Sequence, residues 1–239
     1  MPSSPSRRAR LEALFAKPFA HRGLHGAGVV ENSRAAFRAA IGAGHGIELD
    51  VQATADGEAI VFHDYELSRL TTGEGRLAAM SAATLNSIPL RGESDGLPTL
   101  KEILELIDGR APLLIEVKSP GRRVAALSGA VRRALVGYEG PVAVMSFNPS
   151  VPRWFAEHSP DVLRGLVVTE EGRPERGRLK RRLSLLWSKA DFLAYDIRDL
   201  PSAFATASSL PVATWTVRSE AQRATAAAYA DQIIYEVQA

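Results

Sequence analysis

Residues 46–53 read Gly-Ile-Glu-Leu-Asp-Val-Gln-Ala, and this stretch decides the predicted fold. Its apolar and polar side chains alternate, which predicts a β-strand because successive side chains of a strand point to opposite faces. One face carries Glu48, Asp50 and Gln52, whereas the other is entirely aliphatic. The aliphatic face belongs against helices, so the polar face is expected to point into the interior of a barrel.

Seven further segments are rich in aliphatic or β-branched residues and have the length of strands. Stretches of helical character, among them 33–43, 99–107 and 124–136, lie between them. Strands that alternate with helices indicate parallel strands joined by βαβ crossovers. Eight such units in 239 residues predict an α/β fold with one (β/α)8 TIM barrel domain over 1–239, and a doubly wound open sheet is the alternative. The candidate strands are Pro18–Arg22, Gly46–Ala53, Leu113–Lys118, Val142–Phe147, Leu163–Val168, Phe192–Asp196, Val212–Val217 and Gln232–Val237.

The connection between the second and third barrel strands, residues 54–112, is predicted to hold a small insertion. It is too long for one loop, because unstructured loops beyond about 12–15 residues are uncommon in compact domains. Residues 55–58 predict a hairpin turn, after which residues 59–63 would return antiparallel to the second strand. Thr99, with Glu102 three residues later, predicts the capped start of a helix.

Composition excludes several classes of function. The chain contains no cysteine, so it has no disulfide framework and no thiolate zinc site. A net charge of +2 and the lack of a recognised binding module give no indication of a nucleic-acid partner. The first residues lack the apolar segment of a signal peptide, and residues 1–16 are expected to be frayed. No run approaches the roughly 18 apolar residues of a membrane span, so a cytoplasmic protein is expected.

His21-Arg22-Gly23 ends the first predicted strand, and barrel enzymes carry their catalytic residues at the C-terminal ends of strands. Arginine offers a planar set of donors to a phosphate, and histidine exchanges protons near neutral pH. Gly23 allows the chain to turn sharply. A second histidine, His63, ends the predicted return strand together with Asp64. Two histidines allow one to take a proton while the other gives one.

Three carboxylates are predicted to meet inside the barrel. Glu116 and Lys118 alternate with aliphatic residues in the next barrel strand, so they face inward like Glu48 and Asp50. Buried carboxylates repel one another and lose hydration, a cost that a cation between them offsets. Oxygen ligands of this kind suit Mg²⁺ or Ca²⁺. The alternative interpretation of Glu48 and Asp50 is a salt-bridged pair at the strand end.

In order and spacing, these groups resemble the glycerophosphodiester phosphodiesterase family. The resemblance extends from about Pro18 to Val217 and is most specific between His21 and His63. The segments that carry it are His21-Arg22-Gly23, Glu31-Asn32-Ser33, Glu48-Leu49-Asp50-Val51 with Thr54, Asp56-Gly57, His63-Asp64, Pro98-Thr99-Leu100, Glu116-Val117-Lys118, Ser146-Phe147 and Thr214-Trp215-Thr216-Val217.

The resemblance implies a (β/α)8 barrel that hydrolyses small glycerophosphodiesters to glycerol 3-phosphate and an alcohol. It implies that His21 and His63 are the acid–base pair, and that the enzyme needs one divalent cation, Mg²⁺ or Ca²⁺. By the same resemblance, the cation ligands are Glu48, Asp50 and Glu116, the phosphate contacts are Arg22 and Lys118, Glu31 supports the site from the first loop, and Trp215 forms an apolar wall for the substrate.

Two positions depart from the family's pattern. Arg218 follows Trp-Thr-Val where the family often has Asn, and the last strand ends in Tyr235-Glu236 where the family usually has Thr/Ser-Asp. Both positions are expected near the outer end of the substrate. They are therefore expected to affect the choice of substrate more than the phosphoryl chemistry.

The residue set supports a two-step hypothesis for the reaction. The glycerol 2-hydroxyl would attack phosphorus in line, giving a cyclic phosphate that water then opens. One histidine would act as base and the other would protonate the leaving alcohol, with the roles exchanged in the second step. Two alternatives stay open: a lysophospholipase D-type phosphodiesterase that acts on lysophospholipids, and a non-catalytic anion-binding barrel.

A basic segment, residues 173–189, bears on the lysophospholipid alternative. Within it, Leu179, Leu183, Leu186 and Trp187 fall on one helical face, and basic residues fill much of the remainder. One interpretation is an interfacial membrane helix. The other, which we favour, is an ordinary barrel helix whose apolar face packs on the strands, so that one Leu→Ala change there would cost about 2–5 kcal/mol. Membrane contact is accordingly not expected.

Overall fold

The computed structural model describes residues 6–26, 28–171 and 177–237, and it contains a closed barrel of parallel strands surrounded by helices. The strands are Phe19–Ala20 (β1), Gly46–Ala53 (β2), Ala59–Val61 (β3), Leu113–Val117 (β4), Val142–Ser146 (β5), Leu163–Val168 (β6), Phe192–Asp196 (β7), Val212–Val217 (β8) and Gln232–Tyr235 (β9). The helices are Arg7–Leu14 (α1), Arg34–Gly42 (α2), Ala82–Asn86 (α3), Leu100–Ile107 (α4), Ala125–Ala134 (α5), Ser150–His158 (α6), Arg178–Ser188 (α7), Ala203–Ser208 (α8) and Glu220–Tyr229 (α9).

Across the described residues, eight parallel strands close the barrel in the order β1-β2-β4-β5-β6-β7-β8-β9, and β9 pairs back onto β1. The remaining strand, β3, runs antiparallel to the outer end of β2, as the hairpin turn predicts. The predicted (β/α)8 barrel is therefore confirmed, and the open doubly wound sheet is excluded. Helices over 33–43, 99–107 and 124–136 are confirmed as α2, α4 and α5.

The first barrel strand is shorter than the sequence predicts. Only Phe19 and Ala20 pair with neighbouring strands, so His21 and Arg22 belong to the turn that follows. Arg22 and Gly23 both have positive φ, 54° and 80°. A Cβ at position 23 would lie 2.8 Å from the Cβ of Ala36, so the turn requires glycine for its conformation and for its space.

The insertion after β2 has a small apolar core of its own. Ile60, Phe62, Leu67, Leu85 and Leu97 are among its buried members. The capping box at the start of α4 is present, with the Thr99 hydroxyl accepting from the Glu102 amide and the Glu102 carboxylate accepting from the Thr99 amide. The insertion thus ends where α4, a regular barrel helix, begins.

The lower half of the barrel interior is apolar. Inward side chains such as Leu114, Ala143 and Phe192 form one cluster, which Leu14 closes from below. Gly165 makes room for the Phe192 ring, because a Cβ there would lie 2.4 Å from it. This packed layer is the floor on which the polar upper layer rests.

The start of the chain is more ordered than the frayed segment 1–16 that the sequence predicts. Residues 7–14 form α1, and the burial of Leu14 inside the barrel gives this helix an apolar anchor. Arg7 Nη1 lies 2.5 Å from Asp191 Oδ1, and Phe15 O accepts from Gln232 at 2.8 Å. Residues 1–5 lie outside the described part of the chain.

The apolar stripe of α7 faces outward, so its predicted packing against the strands is wrong. Leu179, Leu183, Leu186 and Trp187 are 70%, 57%, 76% and 54% exposed. The side of α7 that faces the barrel carries less exposed residues instead. One of them is Arg181, whose guanidinium pairs with buried Glu170 at 3.3 Å. These less exposed residues are Arg181, Ser184, Leu185 and Ser188. Residues 173–176 of the basic segment lie outside the described part of the chain.

Replacement of Leu183 by alanine is expected to change the free energy of unfolding by less than about 0.5 kcal/mol, because the side chain is already exposed to water. Phe155→Ala on the neighbouring helix α6 is the matched control. Phe155 is fully buried, and its loss is expected to cost about 3–5 kcal/mol. Urea denaturation measures both, and a loss of about 2 kcal/mol or more in Leu183→Ala would show that the stripe is buried after all.

Candidate active site

The C-terminal ends of the barrel strands surround a cavity of about 380 Å³. Eight of the nine site residues predicted from the sequence line it, and Glu31 stands outside that lining. Cations and carboxylates alternate around its wall, so the cavity suits an anionic ligand held together with a metal ion. The ionisable residues that line it are His21, Arg22, Glu48, Asp50, His63, Glu116, Lys118, Asp196, Arg198 and Arg218.

Three carboxylates converge on the β2–β4 side of this cavity. Asp50 and Glu116 are direct register partners on the two strands, and Glu48 lies one inward position below Asp50. The ligand oxygens of all three lie within 4.8 Å of one another. Lys118 Nζ lies 3.4 Å from Asp50 and 3.6 Å from Glu116. Arg22 adds a contact of 3.2 Å from its Nε to Asp50.

Proton affinities reflect the crowding of these acids. Burial, then the charges of Asp50 and Glu116, raise the pKa of Glu48 well above 4.5. Burial and the charge of Asp50 raise the pKa of Glu116 from 4.5 to about 7. Burial would raise the pKa of Asp50 too, but Lys118 and Arg22 lower it. Two nearby cations thus leave part of the repulsion uncompensated, and an all-oxygen donor set of this kind fits a hard divalent cation.

Two amide side chains that the sequence does not single out as site residues hold this layer in place. Asn32 Nδ2 donates to Asp50 Oδ2 at 3.0 Å, and Asn32 Oδ1 accepts from the Asp50 amide. Gln52 Nε2 contacts the backbone carbonyls of Phe62, His63 and Asp64 at 2.7–3.0 Å. Gln52 therefore ties the end of β2 to the loop that carries His63. Its place on the acidic face of β2 was the available signal for this role.

His21 is oriented by two residues that follow β8 and β9. Its Nδ1 lies 2.5 Å from Oε1 of Glu236, whose Oε2 accepts from Nε of Arg218 at 2.6 Å. Burial would raise the pKa of Glu236, but the hydrogen bonds with His21 and Arg218 lower it to about 2. Burial lowers the pKa of His21, and the bond to Glu236 opposes that effect.

The two positions that depart from the family's pattern are both connected to His21. The sequence predicts them at the outer end of the substrate, whereas in the structure Glu236 contacts the imidazole of His21 and Arg218 holds Glu236. Tyr235 turns away from the cavity, and its hydroxyl lies 2.5 Å from Nδ1 of His45.

His63 is held in a similar way by the insertion. Its Nδ1 lies 2.7 Å from Asp64, which also pairs with Arg69. Burial would raise the pKa of Asp64, but the hydrogen bonds with Arg69 and His63 lower it to about 2. Arg69 also donates to Oε1 of Glu31 at 2.7 Å, and the same oxygen accepts from Nη1 of Arg22 at 2.7 Å. Glu31 thus contacts the Arg22 guanidinium from outside the lining of the cavity.

The far wall of the cavity is aromatic and includes Trp215. The indole Nε1 donates to the carbonyl of Ala194 at 3.0 Å, which fixes the ring. Phe147, 49% exposed, meets it edge-on with ring centroids 5.6 Å apart. At the end of β7, Asp196 and Arg198 form a further ion pair on the lining, which the sequence prediction missed. Their place after a barrel strand was the signal that could have found them.

Fold and site together define a TIM-barrel protein with an acidic cation site and an anion-binding rim at the C-terminal ends of its strands. The chain belongs to the glycerophosphoryl diester phosphodiesterase family, whose sequence profile matches residues 21–236. The match covers every predicted site residue.

Individual relatives agree with this membership. A glycerophosphodiester phosphodiesterase from Caldanaerobacter subterraneus subsp. tengcongensis is 35% identical over 158 residues, which cover 62% of this chain and 65% of that protein. Mouse glycerophosphodiester phosphodiesterase 1 is 30% identical over 208 residues, which cover 81% of this chain and 62% of that protein. The chain thus spans less than two thirds of the length of these two relatives. A phosphodiesterase structure from Oleispira antarctica, solved with the product sn-glycerol-3-phosphate, has a TM-score of 0.79 at 22% identity and covers 94% of each chain.

Glu116→Gln is expected to stabilise the cation-free protein at and above neutral pH. The folded pKa of Glu116, about 7, lies above the ordinary 4.5, so this carboxyl favours folding while it is protonated, and that contribution is lost as pH rises from about 4.5 through 7. In EDTA, the variant should therefore have the larger free energy of unfolding. Its advantage over the wild type should grow toward about 3 kcal/mol as pH rises from about 4.5 through 7. Urea denaturation at a series of pH values measures it.

Excess Mg²⁺ or Ca²⁺ is the control for this experiment. The wild type should then gain stability and the variant should gain less, because it has lost a charged ligand. A difference between the two proteins that does not change with pH in EDTA would contradict the assigned repulsion.

Proposed function

We propose that this protein hydrolyses glycerophosphodiesters to glycerol 3-phosphate and an alcohol, with the help of a divalent cation, Mg²⁺ or Ca²⁺. The observation that carries the proposal is the convergence of two histidines, three carboxylates and two cationic side chains on one cavity. Family membership and the names of the relatives support it, and so does the product bound to the structurally similar phosphodiesterase.

The phosphate end of the substrate is assigned to the β2–β4 side of the cavity. Glu48, Asp50 and Glu116 would hold the cation, which when bound neutralises negative charge on the phosphodiester. Arg22 and Lys118 reach the same carboxylates from the cavity side, so they are placed to contact the phosphate oxygens. Glu31 keeps the Arg22 guanidinium in that position.

His21 and His63 are proposed to move the protons. Each has its Nδ1 next to a carboxylate, Glu236 or Asp64, so Nδ1 carries the proton and Nε2 is left for the cavity. The Nε2 atom of His21 lies 3.9 Å from Glu48, beside the cation ligands. One imidazole would accept the proton of the attacking hydroxyl on Nε2. The other would start as the imidazolium, protonated on both nitrogens, and would donate its Nε2 proton to the leaving oxygen. Each histidine would then hold the protonation state that the reverse role needs when a cyclic intermediate is hydrolysed.

The aromatic wall is assigned to the organic part of the substrate. Trp215 and Phe147 present apolar surface opposite the charged side, where a glycerol carbon chain or the leaving alcohol would rest. The exposed edge of Phe147 leaves this side open. A lysophospholipid is therefore the second candidate substrate, and it is separated from small glycerophosphodiesters by the assay below.

Hydrolysis is expected to require a divalent cation. After dialysis against EDTA, release of glycerol 3-phosphate from glycerophosphocholine and glycerophosphoethanolamine should cease, and Mg²⁺ or Ca²⁺ should restore it. Lysophosphatidylcholine in the same panel distinguishes the second candidate substrate. Full activity in excess EDTA would contradict the cation site, and no turnover of any member of the panel would contradict the proposed function.

His21→Ala and His63→Ala are each expected to lower kcat by roughly 10²–10⁴, the usual contribution of general acid–base catalysis. Both variants should fold, because both imidazoles lie at the cavity rather than in the apolar core. His158→Ala is the matched control, since that histidine is exposed on α6 and stacks on Trp154. A variant of His21 or His63 that turns over like His158→Ala would reduce that histidine to a structural role.

A further inference from the structure

The outward stripe of α7, defined as Leu179, Leu183, Leu186 and Trp187, is an unusual surface. Each of its four side chains is more than half exposed. Contiguous exposed apolar surface in a water-soluble fold marks a place where something else binds. Arg153 covers part of it, with its guanidinium 4.9 Å from the centre of the Trp187 ring.

The apolar face of α7 points away from the barrel, whereas the apolar face of an ordinary barrel helix packs against the strands. At about 100° per residue, the stripe lies roughly opposite the side that carries Arg181 and Leu185 and faces the barrel. On the same helical projection, exposed Arg182 borders one edge of the stripe, and exposed Lys180 borders the other. The outer surface of α7 is thus an apolar band between two basic edges.

Charge decides between possible occupants of this surface. A second copy of the chain would bring an identical basic rim against this one, and the like charges would repel. A surface of anionic head groups over apolar chains complements both features, with bases meeting head groups and leucines entering below them. We propose that α7 is an interfacial helix that docks the protein on anionic phospholipid surfaces.

The position of α7 gives such docking a direction. Lys180 and Ser184 line a cavity together with Lys118 and Phe147, next to the active site. A docked helix would therefore bring the open aromatic side of the active site close to the lipid surface. Across the described residues, no helix is long and apolar enough to span a bilayer, so the contact we propose lies in the surface plane.

Vesicle binding tests the proposal without reference to catalysis. Vesicles of equal parts phosphatidylglycerol and phosphatidylcholine should sediment the wild-type protein, whereas pure phosphatidylcholine should bind it much more weakly. Added salt should weaken the binding, because exposed charges are screened. The tryptophan emission should shift to the blue on binding, and Trp187→Phe should lose most of that shift because Trp187 lies in the stripe.

Two pairs of variants locate the contact. The double variant Lys180→Gln with Arg182→Gln should weaken vesicle binding about 30-fold. Its control, Arg76→Gln with Lys101→Gln, removes the same amount of charge from other elements, where these side chains are 74% and 78% exposed. The control should change vesicle binding little. Leu183→Gln with Leu186→Gln should also abolish sedimentation. Its control, Val136→Gln with Tyr229→Gln, replaces two exposed apolar residues elsewhere.

All these positions are exposed, so circular dichroism and soluble-substrate turnover should match the wild type. Wild-type binding that is no stronger to phosphatidylglycerol than to phosphatidylcholine would overturn the proposal. So would binding that both α7 variants retain. A concentration-dependent dimer in analytical ultracentrifugation, abolished by Leu183→Gln with Leu186→Gln, would overturn it in favour of a second copy of the chain.

Discussion

Repulsion among Glu48, Asp50 and Glu116 is the constraint on which the rest of the site depends. Their oxygens lie within 4.8 Å of one another above an apolar floor, and their burial weakens the screening of their charges by water. The parallel register of β2 and β4 places Asp50 and Glu116 directly beside each other on the inner face of the barrel, so the backbone brings the two carboxylates together. A fold that keeps such a cluster must offset its cost by hydrogen bonds, by cations or by a bound metal ion.

The surrounding polar residues offset part of this repulsion through hydrogen bonds and ion pairs with the three carboxylates. Asn32 fixes one oxygen of Asp50, and the backbone amide of Arg22 donates to Glu48 at 3.0 Å. These bonds orient the carboxylates but add no positive charge. Lys118 and the Arg22 guanidinium supply two charges against three, so the cluster keeps an excess of acid that an incoming cation can relieve.

Aliphatic and β-branched segments between helical stretches were enough to predict the eight barrel strands. Alternation within the second and third barrel strands was enough to predict the inward acids, because the aliphatic face of each strand packs on helices and the acidic face must then point into the barrel. It was not enough for α7. An apolar stripe shows that one side of a helix is apolar, but the direction in which that side points depends on the residues of the barrel that the helix packs against. Here buried Glu170 forms an ion pair with Arg181, and the side of α7 that carries Arg181 therefore faces the barrel. The ordered α1 escaped prediction for a similar reason, since a single Leu14 anchors it in a space that only the closed barrel creates.

Arg218 and Glu236 stand at the positions where the chain departs from the family's pattern, and together they form one line of contacts that ends at His21. Glu236 follows the last strand, and its side chain is long enough to bring one oxygen to the imidazole of His21 and the other to Arg218. Burial favours the protonated form of this half-buried carboxyl, and its hydrogen bonds with His21 and Arg218 oppose that effect. Together these bonds lower the pKa of Glu236 to about 2, so the carboxylate stays charged and keeps the proton of His21 on Nδ1. Two positions that look like a change of specificity in the sequence thus act together as a support for the residue proposed to do the chemistry.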